Sequence, residues 1–197
     1  MISVDDITLS HRSATKRWKE TGVQLHATDF MALVEQNHQF NYLLWHAEDK
    51  ARRDDMGFEF VRDAKRAIDK YNQARNDAME AMDKALIKIL NPAPYTSCPV
   101  HSESPGMMID RLSILALKHY HMKLQTERLD VDQEHIESCQ KKLSIINQQL
   151  DQLALCLNVL LEEINANSRT FRVYFQLKMY NSPTLNPELH AAETNKG

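Results

Sequence analysis

Nine residues in the last third of the chain recur at steps of three and four: Ile136, Cys139, Leu143, Ile146, Leu150, Leu153, Leu157, Leu160 and Ile164. Only a helix brings residues spaced in this way onto one side. The alternating 3, 4 step is the spacing of a coiled-coil seam. A helix over 132–167 rises roughly 50 Å at about 1.5 Å per residue. A seam of that length needs long helical partners, so the rest of the chain has to supply them.

The remaining sequence reads accordingly. The chain of 197 residues has 4 Gly and 6 Pro, too few turn residues for the many tight turns of a β-sandwich or barrel. A helix is predicted over 30–53, opened by Asp29, with the stripe Phe30, Val34, Asn37, Asn41, Leu44, Trp45, Glu48 and Arg52. A second runs over 57–90 through Val61, Ala64, Ile68, Tyr71, Arg75, Met79, Met82, Leu86 and Ile89. Residues 91–105 (NPAPYTSCPVHSESP) are a Pro/Ser-rich connector that breaks the helix. Ser104 as cap and Pro105 at the first helical position open a third helix over 105–129. A short helix around 13–21 is anchored by Trp18. Thr170–Tyr180 alternates as a strand does, but a lone strand has no ladder partner, so helix is expected there. The expected architecture is all-α, an elongated up-and-down bundle of four long helices plus shorter terminal ones. It forms a single domain over 1–190 with a flexible tail at 191–197.

Composition excludes several function classes. The net charge is −3 and the pI about 6.3, without the basic footprint of a nucleic-acid binder. No apolar run approaches the roughly 20 residues of a membrane span, and 1–10 has no apolar leader core. Cys98, Cys139 and Cys156 are widely spaced and read as free thiols in a reducing compartment, so the cytoplasm is the expected location.

Three stretches carry the polar chemistry: NYLLWHAEDKAR (41–52), YNQARNDAMEAMD (71–83) and SESPGMMIDRLSILALKHYHM (102–122). They resemble a bacterial all-helical family catalogued as a domain of unknown function, marked by LWHxED-AR, NQxRND and PG-xx-IDRLSIL-LK-YHM helices. A KMYN segment and an LNP turn close that pattern, matched here at 178–181 and 185–187. The resemblance covers about 30–190. It implies no activity; the family's genes often neighbour glycosyltransferases of cell-surface polysaccharide synthesis.

Polar side chains on a packing stripe are costly unless hydrogen-bonded or paired. Arg75 therefore needs a carboxylate, and Glu48 or Asp49 is the expected donor of one. The cluster is either a buried network that sets helix register or the lining of an inter-helix ligand site. As a site it points to a small anionic metabolite, a phosphorylated sugar or nucleotide. Arg75, Arg111 and Lys118 neutralise it; Asn41, Asn72 and Asn76 orient it; Trp45 or Tyr120 stacks on it. Glu48 and Asp49 then position Arg52 and Arg75 or hold a cation, and His46 or His121 moves a proton. Pro105 and Gly106 open a helix whose free N–H groups favour an anion, with Asp110 and Glu103 as competing acids at the same end.

No zinc site fits the spacing. His119 and His121 point to opposite sides of a helix, and His46 with Asp49 makes only two ligands. Mg²⁺ is possible: Asp77, Glu80 and Asp83 line one face, and with Glu48 and Asp49 they resemble the paired acidic helices of all-helical nucleoside triphosphate pyrophosphatases. The Glu-Glu-x-x-Glu element of those enzymes is absent, because Lys50, Ala51 and Arg52 follow Asp49. The other readings are an interaction module with a structural polar cluster, and a homo-oligomer formed through the leucine seam of 132–167.

Overall fold

The computed structural model describes residues 2–177 and 184–187. Five α-helices follow one another: α1 Val4–Thr21, α2 Asp29–Lys50, α3 Phe58–Leu90, α4 Pro105–Thr126 and α5 Gln133–Asn165. A 3-10 turn, Asp54–Met56, separates α2 from α3. The fold is all-α, with four of the five helices at the predicted places. The KMYN segment and the tail 191–197 lie outside the described residues.

α2 and α3 pack along each other, as do α4 and α5; these are the two most extensive helix pairs. Arg75 meets Asp110 while Asp83 meets Gly106, so α3 and α4 run antiparallel. The seam of α5 is buried from Ile146 to Ile164, against Met108, Ile109 and Leu112 of α4 and Val4 and Ile7 of α1 in one continuous core.

α1 starts nine residues before the helix expected at 13–21. Ser3 caps it by accepting from the Asp6 amide, and Asp5 and Asp6 suit the dipole of the first turn. Its buried stripe is Val4, Ile7, His11, Ala14, Thr15 and Trp18. Two polar members hide that periodicity from a hydrophobicity count. The linker to α2 is held by Glu35, whose carboxylate accepts from the His26 and Ala27 amides at 2.7 and 2.8 Å and pairs with Arg17.

The helix expected at 170–180 is not formed over its described part, 170–177. The connector supplies the partner that the sequence argument lacked. The Thr170 N–H donates to the Pro99 carbonyl, and the Thr170 carbonyl accepts from His101 N–H at 2.7 Å, making a parallel bridge between Val100 and Thr170. Thr170 Oγ1 also donates to the Ala93 carbonyl, and Phe171 is buried beneath.

Candidate functional site

The α3–α4 contact places the polar cluster. Gly106 lets the two helices approach so closely that a Cβ there would lie 2.6 Å from Asp83 Oδ1 and 2.8 Å from the Met79 carbonyl. Asp83, reaching across from α3, accepts from the Gly106 amide at 2.7 Å and from the Ser104 hydroxyl. The anion at the start of α4 is thus the chain's own carboxylate, not an external ligand. Burial pushes Asp83 up to about 6, against the opposing pull of its bonds to Ser104 and Gly106.

One turn on, Asp110 faces α2 and α3 and is 1% exposed. It accepts from Arg75 Nε at 2.9 Å and Nη2 at 2.7 Å, a bidentate pair. It also accepts from the amides of Asn37 and Asn41, at 3.0 and 2.9 Å. The partner of Arg75 is therefore Asp110, not Glu48 or Asp49. Glu48 instead pairs with Arg52, four residues on along the same helix, at 2.8 Å.

The network continues inward. Asn41 Nδ2 donates to Ser113 Oγ at 3.0 Å, Ser113 meets His38 Nδ1 at 2.7 Å, and His38 Nε2 meets Thr15 Oγ1 at 2.8 Å. Thr15 donates to the His11 carbonyl at 2.9 Å. Thr15 spends its one hydrogen on the His11 carbonyl, so Nε2–H donates to Thr15; in a neutral ring Nδ1 then accepts from the Ser113 hydroxyl. His38 is kept neutral by burial, reinforced by the neighbouring His11, which lowers its pKa well below the usual value. Ser113 is fully buried, so its contact with histidine is structural and not a nucleophile's. The His11 ring is tilted 31° against His38 with centroids 4.7 Å apart, and neither of its ring nitrogens has a partner among the described residues. Burial takes it down to about 3.

The outer end of the network opens on a cleft of about 350 Å³ lined by Asn41, Leu44, Trp45, Glu48, Asp49, Arg52, Arg75, Ile114 and Leu117. Six of the predicted site residues therefore share one cavity: Asn41, Trp45, Glu48, Asp49, Arg52 and Arg75. Asp110 stands behind it. Arg75 commits Nε and Nη2 to Asp110, and its Nη1 has no partner among the described residues.

Beside the cleft, His121 stacks flat on Trp45, 4.4 Å between centroids and 6° between planes, and His46 lies 6.2 Å from His121. Burial first, then Lys19 and His46, takes His121 down to about 4, with Asp49 opposing. Burial and Lys19 lower His46 too, so both rings are neutral at pH 7.

The other predicted residues lie elsewhere. Arg111 and Lys118 line a separate groove of about 890 Å³ between α4 and α5, which shares only Ile114 with the cleft. Arg111 there is paired to Glu103 at 2.7 Å. Tyr120 lines a third pocket, between α1 and α4. Asn72 and Asn76 are half-buried on α3 and make no side-chain hydrogen bond among the described residues. Asp77 is exposed and accepts from Gln73. With Asp83 turned inward as a cap, the acidic run does not converge, and no group of three metal-ligating side chains forms among the described residues.

Sequence reasoning missed Asn37 and Ser113 as partners of Asp110 and Asn41, and His38 as the partner of Ser113. The signal was present: residues 37, 38 and 41 share one side of α2, and 110 and 113 one side of α4.

A family model for proteins of unknown function, DUF4254, matches residues 31–173. The chain belongs to the DUF4254 family. The match begins within α2 and ends just past the Thr170 bridge, so it takes in the cleft and the network from Asp110 to His38, while Thr15 and His11 precede it. No curated protein and no solved structure matches the chain. Among the described residues no helix is long and apolar enough to cross a membrane.

Proposed function

We propose that this DUF4254 protein binds a small anionic metabolite, of the phosphorylated-sugar or nucleotide class, in the cleft between α2, α3 and α4. One observation carries the reading. Arg75 lines the cleft and is held by a bidentate bond to a carboxylate that two buried amides hold in turn, so its guanidinium, with Nη1 unpartnered among the described residues, is fixed before any ligand arrives. Pre-organised donors of this kind lower the ordering cost of binding. Arg52 supplies a second cation. Its pair with Glu48 is a surface pair with the arginine 70% exposed, worth about 0.2–1 kcal/mol, so a phosphate can displace Glu48. Trp45, Leu44, Ile114 and Leu117 offer an apolar wall. The volume, at the low end of ligand pockets, suits one sugar phosphate, with anything larger projecting into solvent.

The setting of surface-polysaccharide genes in bacteria favours the sugar member of the class, and a bacterial cytoplasm is where such metabolites occur. No proton-transfer step is assigned, because neither His46 nor His121 lines the cleft.

The test is a thermal-shift screen against sugar phosphates, nucleotides and nucleotide sugars, with and without Mg²⁺. A ligand at 100 times its Kd adds about 2.7 kcal/mol of stability. Arg52→Ala should keep the melting temperature and remove the shift. A flat screen in all classes overturns the reading. It would favour the second one, a network that only sets helix register, which has its own support in the full satisfaction of Asp110.

A further inference from the structure

The seam of α5 that suggested self-association is spent inside the chain, but α5 carries a second stripe. Ile145, Gln148, Gln149, Gln152, Leu155, Cys156 and Val159 fall within about a third of the helix circumference, at 100° per residue. Ile145, Leu155 and Val159 are 53%, 58% and 44% exposed, and Cys156 is exposed beside them. The stripe is uncharged throughout. Five of the seven, Ile145, Gln148, Gln149, Gln152 and Cys156, line the groove of about 890 Å³ opposite Arg111, Ile114, Leu115 and Lys118 of α4, and Leu155 and Val159 continue the face beyond it. A helical face holding three exposed branched aliphatics and no charge is built to be covered.

The charges at its ends say by what. Lys141 and Lys142 stand eleven and ten positions before Gln152, and Glu162 and Glu163 ten and eleven after it. Lys141 and Glu163 lie on the same line of the helix as Ile145 and Val159. Lys141, Lys142 and Glu162 are exposed and make no ion pair among the described residues; Glu163 uses one oxygen on Arg169. Between Lys141 and Glu163 the stripe is therefore basic at one end, acidic at the other, and uncharged between, symmetrically about its centre; Glu137 and Glu134 lie further out, past the reach of an antiparallel partner helix centred on Gln152, which ends at Asn165. A parallel copy would set lysine against lysine. An antiparallel copy sets each basic end on the acidic end of the other, and Ile145 near Val159.

We propose that the exposed face of α5 is the interface of a two-fold homodimer, with the two α5 helices antiparallel and the axis passing near Gln152. The contact is isologous: one patch serves both copies, as closed dimers require. It runs along the α4–α5 groove and leaves the cleft of Arg75 free on the other side of Ile114, so it stands independently of the ligand reading.

The test uses the full chain in multi-angle light scattering and in cysteine cross-linking. The expected mass is twice 22.8 kDa. Ile145→Glu should give the 22.8 kDa species with an unchanged circular-dichroism spectrum, since the side chain is exposed. The lysine pair changed to glutamate (Lys141→Glu with Lys142→Glu) should weaken the dimer at least tenfold. Adding Glu162→Lys and Glu163→Lys to the same chain should restore it. Gln152→Cys, made with Cys98 and Cys156 as serine, should cross-link to a covalent dimer on oxidation. A monomeric mass at the highest soluble concentration overturns the proposal. So does a dimer that Ile145→Glu leaves intact, or a charge swap that fails to rescue.

Discussion

Asp110→Asn tests the centre of the molecule most sharply. The change keeps the side chain's size and removes its charge at a position that is 1% exposed. Asp110 accepts four hydrogen bonds, two from Arg75 and one each from Asn37 and Asn41. An amide in its place turns an NH₂ group toward one of these donors. Breaking a buried ion pair costs about 3–5 kcal/mol. Arg75 retains 24% exposure and can reach water through the cleft, which holds this part near the lower figure, about 3 kcal/mol. Asn37, fully buried, loses its carboxylate acceptor, which adds about 1 kcal/mol. The expected total is roughly 4 kcal/mol, a fall of about 8–16 °C in melting temperature for a domain of this size. Urea unfolding followed by circular dichroism should show the midpoint moving with the slope unchanged. Arg75→Met should cost a similar amount, because it leaves a charged carboxylate buried. The double variant Arg75→Met with Asp110→Leu should lose clearly less than the sum of the two single losses. A loss below about 1 kcal/mol for Asp110→Asn would refute the argument that this pair organises the α2–α3–α4 contact.

Three further outcomes follow from the same geometry. Gly106→Ala drives a Cβ against the Met79 carbonyl and the Asp83 carboxylate, and denaturant unfolding should show a loss of about 2–3 kcal/mol. His11 sits near 3 in the folded chain against 6.5 when unfolded, so as pH falls from about 6.5 toward 3 the unfolded chain binds a proton that the folded one refuses. Stability should drop across that window, and His11→Phe should reduce the difference between melting temperatures at the two ends without abolishing it, since His38 is also held neutral. Asp83 acts in the opposite sense: its folded value, about 6, lies above the ordinary 3.8, so its contribution is full below 3.8 and is lost as pH rises through 6. Asp83→Asn should therefore steepen the acid destabilisation in the same melting series.

What could be read from the residues was decided by hydrocarbon. The α5 seam and the bounds of α2 to α5 were legible because apolar side chains at helical steps have one way to leave water together. The first half of α1 was not, because His11 and Thr15 occupy its buried stripe and score as polar; only the network they join explains their place. The segment after Arg169 was misread for a different reason. Its alternation was correct evidence of extended backbone, but the ladder partner lay some seventy residues away in a proline-rich connector. Six of sixteen candidate site residues met in one cleft because they share faces of α2 and α3. The wrong partner for Arg75 came from seeking the carboxylate on the nearest helix in sequence. Contact between α3 and α4 brings Asp110 closer, and the enabling residue, Gly106, has no side chain to announce it.

The two clusters on α4 divide one task. Asp83 ties the start of α4 to α3 through Ser104 and Gly106, and one turn later Asp110 ties it to α3 again and to α2. With the helix held at two points, its rotation about its own axis is set, and with it the direction of every later side chain. Ile114 then falls between the Arg75 cleft and the α4–α5 groove, and His121 lands flat on Trp45. An apolar core of the same shape is commonly at least as stable as such a network, so stability alone does not account for a charged pair beside a cleft. The network stabilises one arrangement in which Arg75 reaches the cleft with its geometry already fixed. That coupling of register to a single oriented cation is what supports the proposed binding site there.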